Sequence, residues 1–464
     1  MKRVVLPKRM NEQAASFRDR SGFLFYREGQ LLRQVNQAYQ EDYDLLMESG
    51  LYSSLVASSL LISHTEVDIP PPLRDLAYKV IKPAPVQFIS YPYEWCFSQL
   101  KDAALATLAI QKIALDFGMS LKDGSAYNIQ FERLKPVLID TLSFEKYREG
   151  EPWVAYRQFC QHFLAPLVLM SYRDIRLSQL LKIYIDGVPL DLSSCLLPAR
   201  TRFRFSILSH IHLHARSQKR YAGRTAEIKS RKISRLAFRG IIDSLETTIR
   251  KLQWEPRKSE WGDYYEDTNY SAQAMSAKKR IVDSFFKDID PGVVWDLGAN
   301  TGIFSRIATS NGGRTISLDS DPVAVEKNYL TALQENEVAI LPLVQDLINP
   351  SPGIGWENKE RMSILERGSA NTVLALALIH HLAIANNLPL GRIARFFRTV
   401  GNILIVEFIP KADSQVKRLL ASREDIFTEY TRQAFEMEFA NYFNILRTEK
   451  IPDSERILYL MTGI

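Results

Sequence analysis

Cysteine is scarce in this chain of 464 residues: only Cys96, Cys160 and Cys195 occur. They lie far apart, form no Cys-x-x-Cys and cannot close an even-numbered disulfide framework, so a disulfide scaffold is excluded and a reducing compartment suits them. Long apolar runs are missing as well. The longest, around Phe163–Met170 and Thr372–Ala385, are short or broken by histidines and asparagines, whereas a bilayer-spanning helix needs roughly 18 uninterrupted apolar residues. The opening Met1-Lys-Arg-Val-Val-Leu-Pro-Lys-Arg has no signal-peptide apolar core. These absences lead us to expect a cytoplasmic chain without a membrane span.

Acidic residues are thin in one region. Between residues 199 and 258 sixteen Lys and Arg face four acids, so a chain of net charge +6 carries +12 there and −6 elsewhere. Such a block can attract nucleic acid, an acidic lipid head group or a phosphorylated glycan. It also reads as a solvated helix, because Leu236, Ile242, Leu245, Ile249 and Leu252 recur at helical steps and give one buried stripe. In the same block His210, His212 and His214 alternate, which on a strand would put three imidazoles on one face. No carboxylate or cysteine lies close by to complete a metal site, and none is expected.

Hydrophobic content of 46% and charged content of 24% are ordinary for a folded protein, and the length suggests about three domains. The richest signal is Val293-Val-Trp-Asp-Leu-Gly-Ala-Asn-Thr-Gly302, an apolar strand running into a glycine-punctuated turn. Glycines at 298 and 302 allow a tight strand-to-helix bend and a close approach of a ligand to main chain. The dinucleotide fingerprint Gly-x-Gly-x-x-Gly is absent, since Asn300 stands between glycines four apart. Further strands end at Asp319 and, after Ile340-Leu-Pro-Leu-Val, near Asp346. A carboxylate offers two acceptor oxygens, so acids at successive strand ends suit a ligand that presents several hydrogen-bond donors.

This element resembles motif I of class I methyltransferases, with the middle glycine replaced by Asn300. The resemblance implies an S-adenosylmethionine pocket, in which Asp296 lies near the methionine ammonium, the Gly298–Gly302 turn follows the methionyl and ribose part, Asp319 accepts from both ribose hydroxyls and Asp346 accepts from the adenine amino group. Strands and helices alternate after it, so a parallel, doubly wound sheet is expected with the ligand at the strands' C-terminal edge. Trp261-Gly-Asp-Tyr-Tyr-Glu-Asp-Thr-Asn-Tyr270 is expected to fold over the cofactor. The fourth strand leads into Leu376-Ala-Leu-Ile-His380-His381 and lacks the Asp/Asn-Pro-Pro-Tyr that many nucleobase and amide N-methyltransferases carry. His380 or His381 is therefore expected to take the proton from a hydroxyl acceptor, because neutral imidazole is a base near neutral pH. Glu407, at the end of the fifth strand, is a further candidate.

In the N-terminal half, Phe23–Val35 reads as a hairpin around Arg-Glu-Gly, and residues 99–117 as an apolar helix. Leu121-Lys-Asp123-Gly-Ser-Ala-Tyr-Asn128, then a hairpin to Asp140, resembles the catalytic loop and metal-binding aspartate of kinase-like phosphotransferases. The resemblance makes Asp123, Asn128 and Asp140 a remnant of a magnesium site. Departures from the pattern are clear. Leu121 stands where a histidine is usual, no Gly-rich phosphate loop is visible, and Arg33 occupies the place of a nucleotide-holding lysine, for which its planar fork is no simple substitute.

Taken in order, Tyr91-Pro-Tyr-Glu-Trp-Cys-Phe-Ser, Leu121–Asn128, Trp295–Gly302, Asn349-Pro-Ser-Pro and Leu378-Ile-His-His-Leu resemble the bacterial class I methyltransferases related to the rhizobial nodulation protein NoeA, over nearly the whole chain. The expected architecture is α/β: a Rossmann-like class I methyltransferase sheet in 256–464, a basic helical linker in 199–255, and an α+β kinase-like, degenerate domain in 1–198 that recognises the acceptor or a partner. The expected activity is S-adenosyl-L-methionine-dependent methylation of a small-molecule or glycoconjugate acceptor, on oxygen. Two alternatives are a bifunctional kinase-methyltransferase acting on a polysaccharide end, and an RNA methyltransferase using the 199–258 block.

Overall fold

The computed structural model describes residues 14–216, 232–255, 271–421 and 424–464. It divides into two compact units. The first comprises residues up to Glu255 together with Gly353–Met362, and the second comprises Pro256–Pro352 and Ser363–Ile464. The expected cover Trp261–Tyr270 lies outside the described residues.

The first unit opens with the expected hairpin, β1 (Gly22–Arg27) against β2 (Gln30–Asn36), because Glu28 and Gly29 both take positive φ between two apolar runs. With β3 (His64–Glu66) and β4 (Ala77–Pro83) it forms an antiparallel sheet in the order β1-β2-β4-β3. The expected apolar helix is Phe97–Asp116, fully buried along Leu100, Ala104, Leu108 and Leu115. Short strands β5 (Met119–Leu121), β6 (Ile129–Glu132), β7 (Lys135–Leu138) and β8 (Phe144–Lys146) follow, pairing β6 with β7 and β5 with β8.

The described part of 199–255, expected to link two domains, belongs to this unit. Its helix Arg235–Lys251 buries Phe238, Ile242, Leu245 and Ile249 and is clamped to Phe97–Asp116. Lys112 pairs with Asp243 at 2.5 Å and with Glu246, and Arg239 pairs with Asp116 at 2.9 Å. Four of the sixteen arginines and lysines of the basic block, Arg235, Arg239, Arg250 and Lys251, thus belong to a packed helix. The histidine alternation does not lie on a strand either. Residues Leu208–Leu213 form a π-helical turn in which His210 bonds Tyr156 and Ser244, and His212 bonds Ser194 and Thr201. Hydroxyls satisfy both rings, and among the described residues no cluster of three or more His, Cys, Asp or Glu is arranged for a metal ion.

The second unit is a seven-stranded sheet. Its strands are β9 (Val293–Leu297), β10 (Arg314–Asp319), β11 (Ile340–Val344), β12 (Ala370–Ala375), β13 (Gly401–Phe408), β14 (Phe443–Lys450) and β15 (Ile457–Gly463), in the order β11-β10-β9-β12-β13-β15-β14. The first five are parallel and follow the doubly wound 3-2-1-4-5 order. The last two add as an antiparallel pair. Val294, Leu374, Ile405, Leu458 and Leu460 pack one face against Val282, Phe285 and Phe286 of helix Ala272–Lys287 and Phe304 and Ala308 of helix Ile303–Ser310. Each such Val, Leu, Ile or Phe side chain taken out of water stabilises the fold by about 1.5–3 kcal/mol. The order reverses at β9, between β10 and β12, and that switch point is where an open α/β sheet leaves a crevice at its strand ends. Among the described residues no helix is long and apolar enough to cross a membrane.

Candidate functional site

Strand β9 ends at the switch point, so Asp296 and the turn after it sit at the sheet's C-terminal edge. Gly298 and Gly302 have φ of +74° and +79°, and Asn300, in the place of a third glycine, has +51°. Asparagine tolerates this region because its short side chain can bond locally, and here Asn300 Oδ1 accepts from Thr301 N–H at 2.8 Å. Gly302 has a second constraint: a Cβ there would lie 2.3 Å from Asn328 Oδ1. A Cβ at Gly298 would meet Leu378 Cδ1 at 3.4 Å, so that position is limited mainly by its backbone angle.

Asp319 ends β10 and fixes the turn. Its Oδ2 accepts from Asn300 N–H and its Oδ1 from Asp321 N–H, both at 2.8 Å. Asp321 in turn caps helix Pro322–Gln334 by accepting from Val323 N–H at 2.9 Å. Asp296 is 2% exposed and accepts from Ser305 Oγ at 2.6 Å. Behind Ser305 runs a chain of bonds: Ser317 Oγ at 2.9 Å, with Asn328 Nδ2 donating to Ser317 at 2.9 Å. Arg306 closes the turn from the other side, donating to Thr301 O at 2.7 Å and Asn328 Oδ1 at 3.0 Å. Burial dominates both acids. It lifts Asp296 to about 7, helped by the Asp319 charge and opposed by the Ser305 bond. It lifts Asp319 to about 6 against the main-chain N–H bonds of Asp321 and Asn300.

Asp346 follows the end of β11, is exposed, and accepts from Ile348 N–H at 2.8 Å. Its neighbour Gln345 is buried and anchored by a 2.7 Å bond from its N–H to Asp319 O. The turn, Asp296 and Asp319 are thus one bonded group, with Asp346 on the next strand end.

Beyond β12 the chain turns through Ala377, whose φ of +50° is unusual for a residue with a Cβ. Glu407 holds that turn. Its Oε2 accepts from Ala377 N–H at 2.8 Å and from Lys278 Nζ at 2.7 Å, in a fully buried pair. Arg456, 1% exposed, lies beside it and grips Asp413 through two bonds of 2.7 and 3.0 Å. Glu407 therefore shapes the loop that carries the histidines. His380 is buried, its ring 4.0 Å from that of His381, and its Nδ1 has no hydrogen-bond partner. Burial, then the charges of Arg456 and Lys278 beside the His381 contribution, push its pKa well below the ordinary histidine value. Burial and Arg456 bring His381 to about 4. Both rings are neutral at physiological pH.

Sequence reading did not single out Lys278, Ser305, Ser317 or Asn328. Ser317 carried a signal, since it precedes Asp319 by two on a strand and so shares its face, and the sheet register pairs it with Asp296. Lys278 carried none, because its partner is 129 residues away.

In the first unit Asp123 accepts from Ser125 N–H at 3.1 Å and Gln158 Nε2 at 2.8 Å, and burial, then the Asp140 charge, raises its pKa. Asn128 donates to Ser143 Oγ at 3.4 Å. Asp140 accepts from Arg33 at 2.5 Å and from Leu142 N–H at 2.8 Å, and the other arm of Arg33 reaches Asp19 at 2.8 Å. A resident guanidinium thus sits on the carboxylate that the kinase resemblance assigns to magnesium.

No family model matches the chain. Among solved structures it is similar to the magnesium protoporphyrin IX methyltransferase ChlM from Synechocystis PCC 6803 (18% identity, 44% of this chain and 91% of that one, TM-score 0.31). It is also similar to the N-methyltransferase NodS from Bradyrhizobium japonicum WM9 (8% identity, 42% and 98%, TM-score 0.31). The bifunctional kinase-methyltransferase WbdD is similar over 43% of this chain and 41% of its own, at 15% identity and TM-score 0.30. In sequence the chain is 36% identical to the nodulation protein NoeA of Rhizobium meliloti strain 1021, over 99% of this chain and 97% of that protein. With that identity sustained from end to end, the chain belongs to the NoeA family.

Proposed function

We propose that the second unit is an S-adenosyl-L-methionine-dependent methyltransferase acting on a hydroxyl of a small-molecule or glycan acceptor. One observation carries this reading: two buried carboxylates, Asp296 and Asp319, flank a positive-φ turn at the switch point of a doubly wound sheet. Burying acids is costly unless something compensates their charge. A ligand with an ammonium group, a sulfonium and two vicinal hydroxyls fits that set of acceptors, because each oxygen of Asp319 keeps a lone pair beyond its main-chain bond. Asp296 would face the ammonium, Asp319 the ribose hydroxyls and Asp346 the adenine amino group, with Gly298, Asn300 and Gly302 bending the main chain around them. When bound, the cofactor supplies an electrophilic methyl on sulfur.

The protein's own chemistry is then to position an oxygen and remove its proton. His380 or His381 is proposed to accept that proton: both rings are neutral, His381 is the less buried of the two, and burial makes each a weaker base than a free imidazole. Glu407, committed to Lys278 and Ala377, shapes this loop. The choice of oxygen rests on histidines in place of an Asp/Asn-Pro-Pro-Tyr, and the glycan class on the relative's designation as a nodulation protein. The first unit is proposed as a degenerate kinase-like domain that recognises the acceptor, since the Arg33 guanidinium already neutralises Asp140. The test is to incubate purified protein with labelled methyl donor and fractionated cell extract, and to identify the labelled compound by mass spectrometry. Label on a hydroxyl supports the reading; label on a nucleobase of RNA, or none in any fraction, removes it.

A further inference from the structure

Ala199-Arg-Thr-Arg-Phe-Arg-Phe205 is unusual among the described surfaces of the first unit. Every residue of it except Thr201 is exposed, and Phe203 and Phe205 reach 89% and 83%. Large apolar side chains standing so far into water, interleaved with Arg200, Arg202 and Arg204, mark an interaction surface. The tip is also held firmly. Thr201 is fully buried, its hydroxyl bonding Pro198 O at 2.7 Å and His212 Nε2 at 2.9 Å, while His212 Nδ1 bonds Ser194 Oγ at 2.8 Å. Burial, then Arg202 and Arg216, lowers the His212 pKa, so Arg216 brings a further positive charge close to the tip. Arg200 lies 5.7 Å from the Tyr172 ring. The second histidine of the alternating trio is thus a clamp beneath a projecting basic-aromatic tip.

We infer that residues 199–205 dock the protein peripherally on an anionic lipid bilayer, Phe203 and Phe205 entering the head-group region and the arginines meeting lipid phosphates. Charge and shape argue for this occupant. The partner must be acidic to match three arginines in five residues, and it must receive phenylalanine rings that carry no hydrogen-bonding group. Residues 202–205 are four successive exposed residues, which a soft planar interface accommodates without a preformed pocket. Single-stranded nucleic acid is bound instead along a basic groove that tracks its backbone. One short tip gives reversible attachment only, as two or more weak signals are needed for stable anchoring.

The proposal does not depend on methyl transfer, and its test reads membrane partition. Full-length protein is sedimented with vesicles of phosphatidylcholine alone or mixed with phosphatidylglycerol. It is expected to pellet with the mixed vesicles and to be released by salt. Phe203→Ser with Phe205→Ser is expected to weaken partition by on the order of tenfold or more, because the apolar insertion is lost. Arg200→Gln, Arg202→Gln and Arg204→Gln together are expected to weaken it by on the order of a hundredfold. Thr201 and His212 stay intact in both variants, and circular dichroism verifies their folding. Wild-type protein left in the supernatant of anionic vesicles, or variants that partition like wild type, overturns the proposal. Tight binding to total RNA that both variants lose, without vesicle binding, overturns it in favour of a nucleic-acid surface.

Discussion

Replacing Asp296 by asparagine tests the claim that a buried acid is kept at this site at a cost to the fold. In the folded protein burial lifts its pKa from 3.8 to about 7. Between those values the native state holds a proton that the unfolded chain has released, so stability falls as pH rises through that window and levels off above about 7. At roughly 1.4 kcal/mol per pKa unit, the loss between about pH 5 and pH 8 amounts to about 2–3 kcal/mol. Asparagine cannot ionise, yet its Oδ1 can still accept the Ser305 hydroxyl. Asp296→Asn is therefore expected to flatten that part of the pH dependence and, near pH 8 without ligand, to raise stability by about 1–2 kcal/mol after the cost of its unsatisfied amide N–H is subtracted. Differential scanning calorimetry of both proteins across this pH range reads the effect, and pH contributions of groups that do not interact with Asp296 cancel in the difference. With methyl donor present the ranking is expected to reverse, because only the carboxylate gains a cation. Parallel pH curves for the two proteins would show that Asp296 is not held near neutrality, and the electrostatic account of the site would fail.

Asp319→Ala is expected to weaken methyl-donor binding at least ten-fold, since two charge-assisted bonds of about 1.5–3 kcal/mol are removed; isothermal titration calorimetry measures this, and unchanged affinity refutes the ribose role. The acid limb of kcat/KM is expected where Asp296 and Asp319 titrate, from about 7 down through about 6, with activity falling as pH falls and no limb from His380. A pH–rate profile flat down to the titration of His381 at about 4 contradicts it. His380→Ala with His381→Ala is expected to reduce turnover by roughly 10²–10⁴ while leaving donor affinity intact, and unchanged turnover on the true acceptor removes the base. Lys278→Met leaves Glu407 buried without its ammonium partner and is expected to cost about 3–5 kcal/mol in urea unfolding; adding Glu407→Leu should recover part of that loss.

The turn and its acids were legible because their signals are local. Glycine and asparagine at positive φ, and carboxylates at strand ends, are properties of a few adjacent residues. The first hairpin was legible for the same reason. Longer-range features escaped. β12 stops at Ala375, and Ala377 beyond it takes a positive φ while donating its N–H to Glu407 of the neighbouring strand, a contact that no local spacing reveals. The buried Lys278–Glu407 pair joins distant segments and has no spacing to reveal it. The antiparallel β14–β15 pair depends on the edge offered by β13. The alternation of His210, His212 and His214 would suit a strand, yet Leu208–Leu213 is a π-helical turn, and the hydroxyl partners of His210 and His212, on Tyr156, Ser194, Thr201 and Ser244, are scattered through the first unit where no spacing reveals them.

Gly353–Met362 is encoded between two strands of the sheet yet folds with the other unit. There Glu360 pairs with Arg18 at 2.9 Å, Arg361 stacks 4.6 Å from the Tyr127 ring, and Met362 N–H donates to Tyr91 Oη at 2.8 Å. A gene cut at residue 256 would thus strand ten residues without their seat. Anyone dissecting this protein would do better to excise that excursion and rejoin its ends with a short polar bridge than to trust a single boundary.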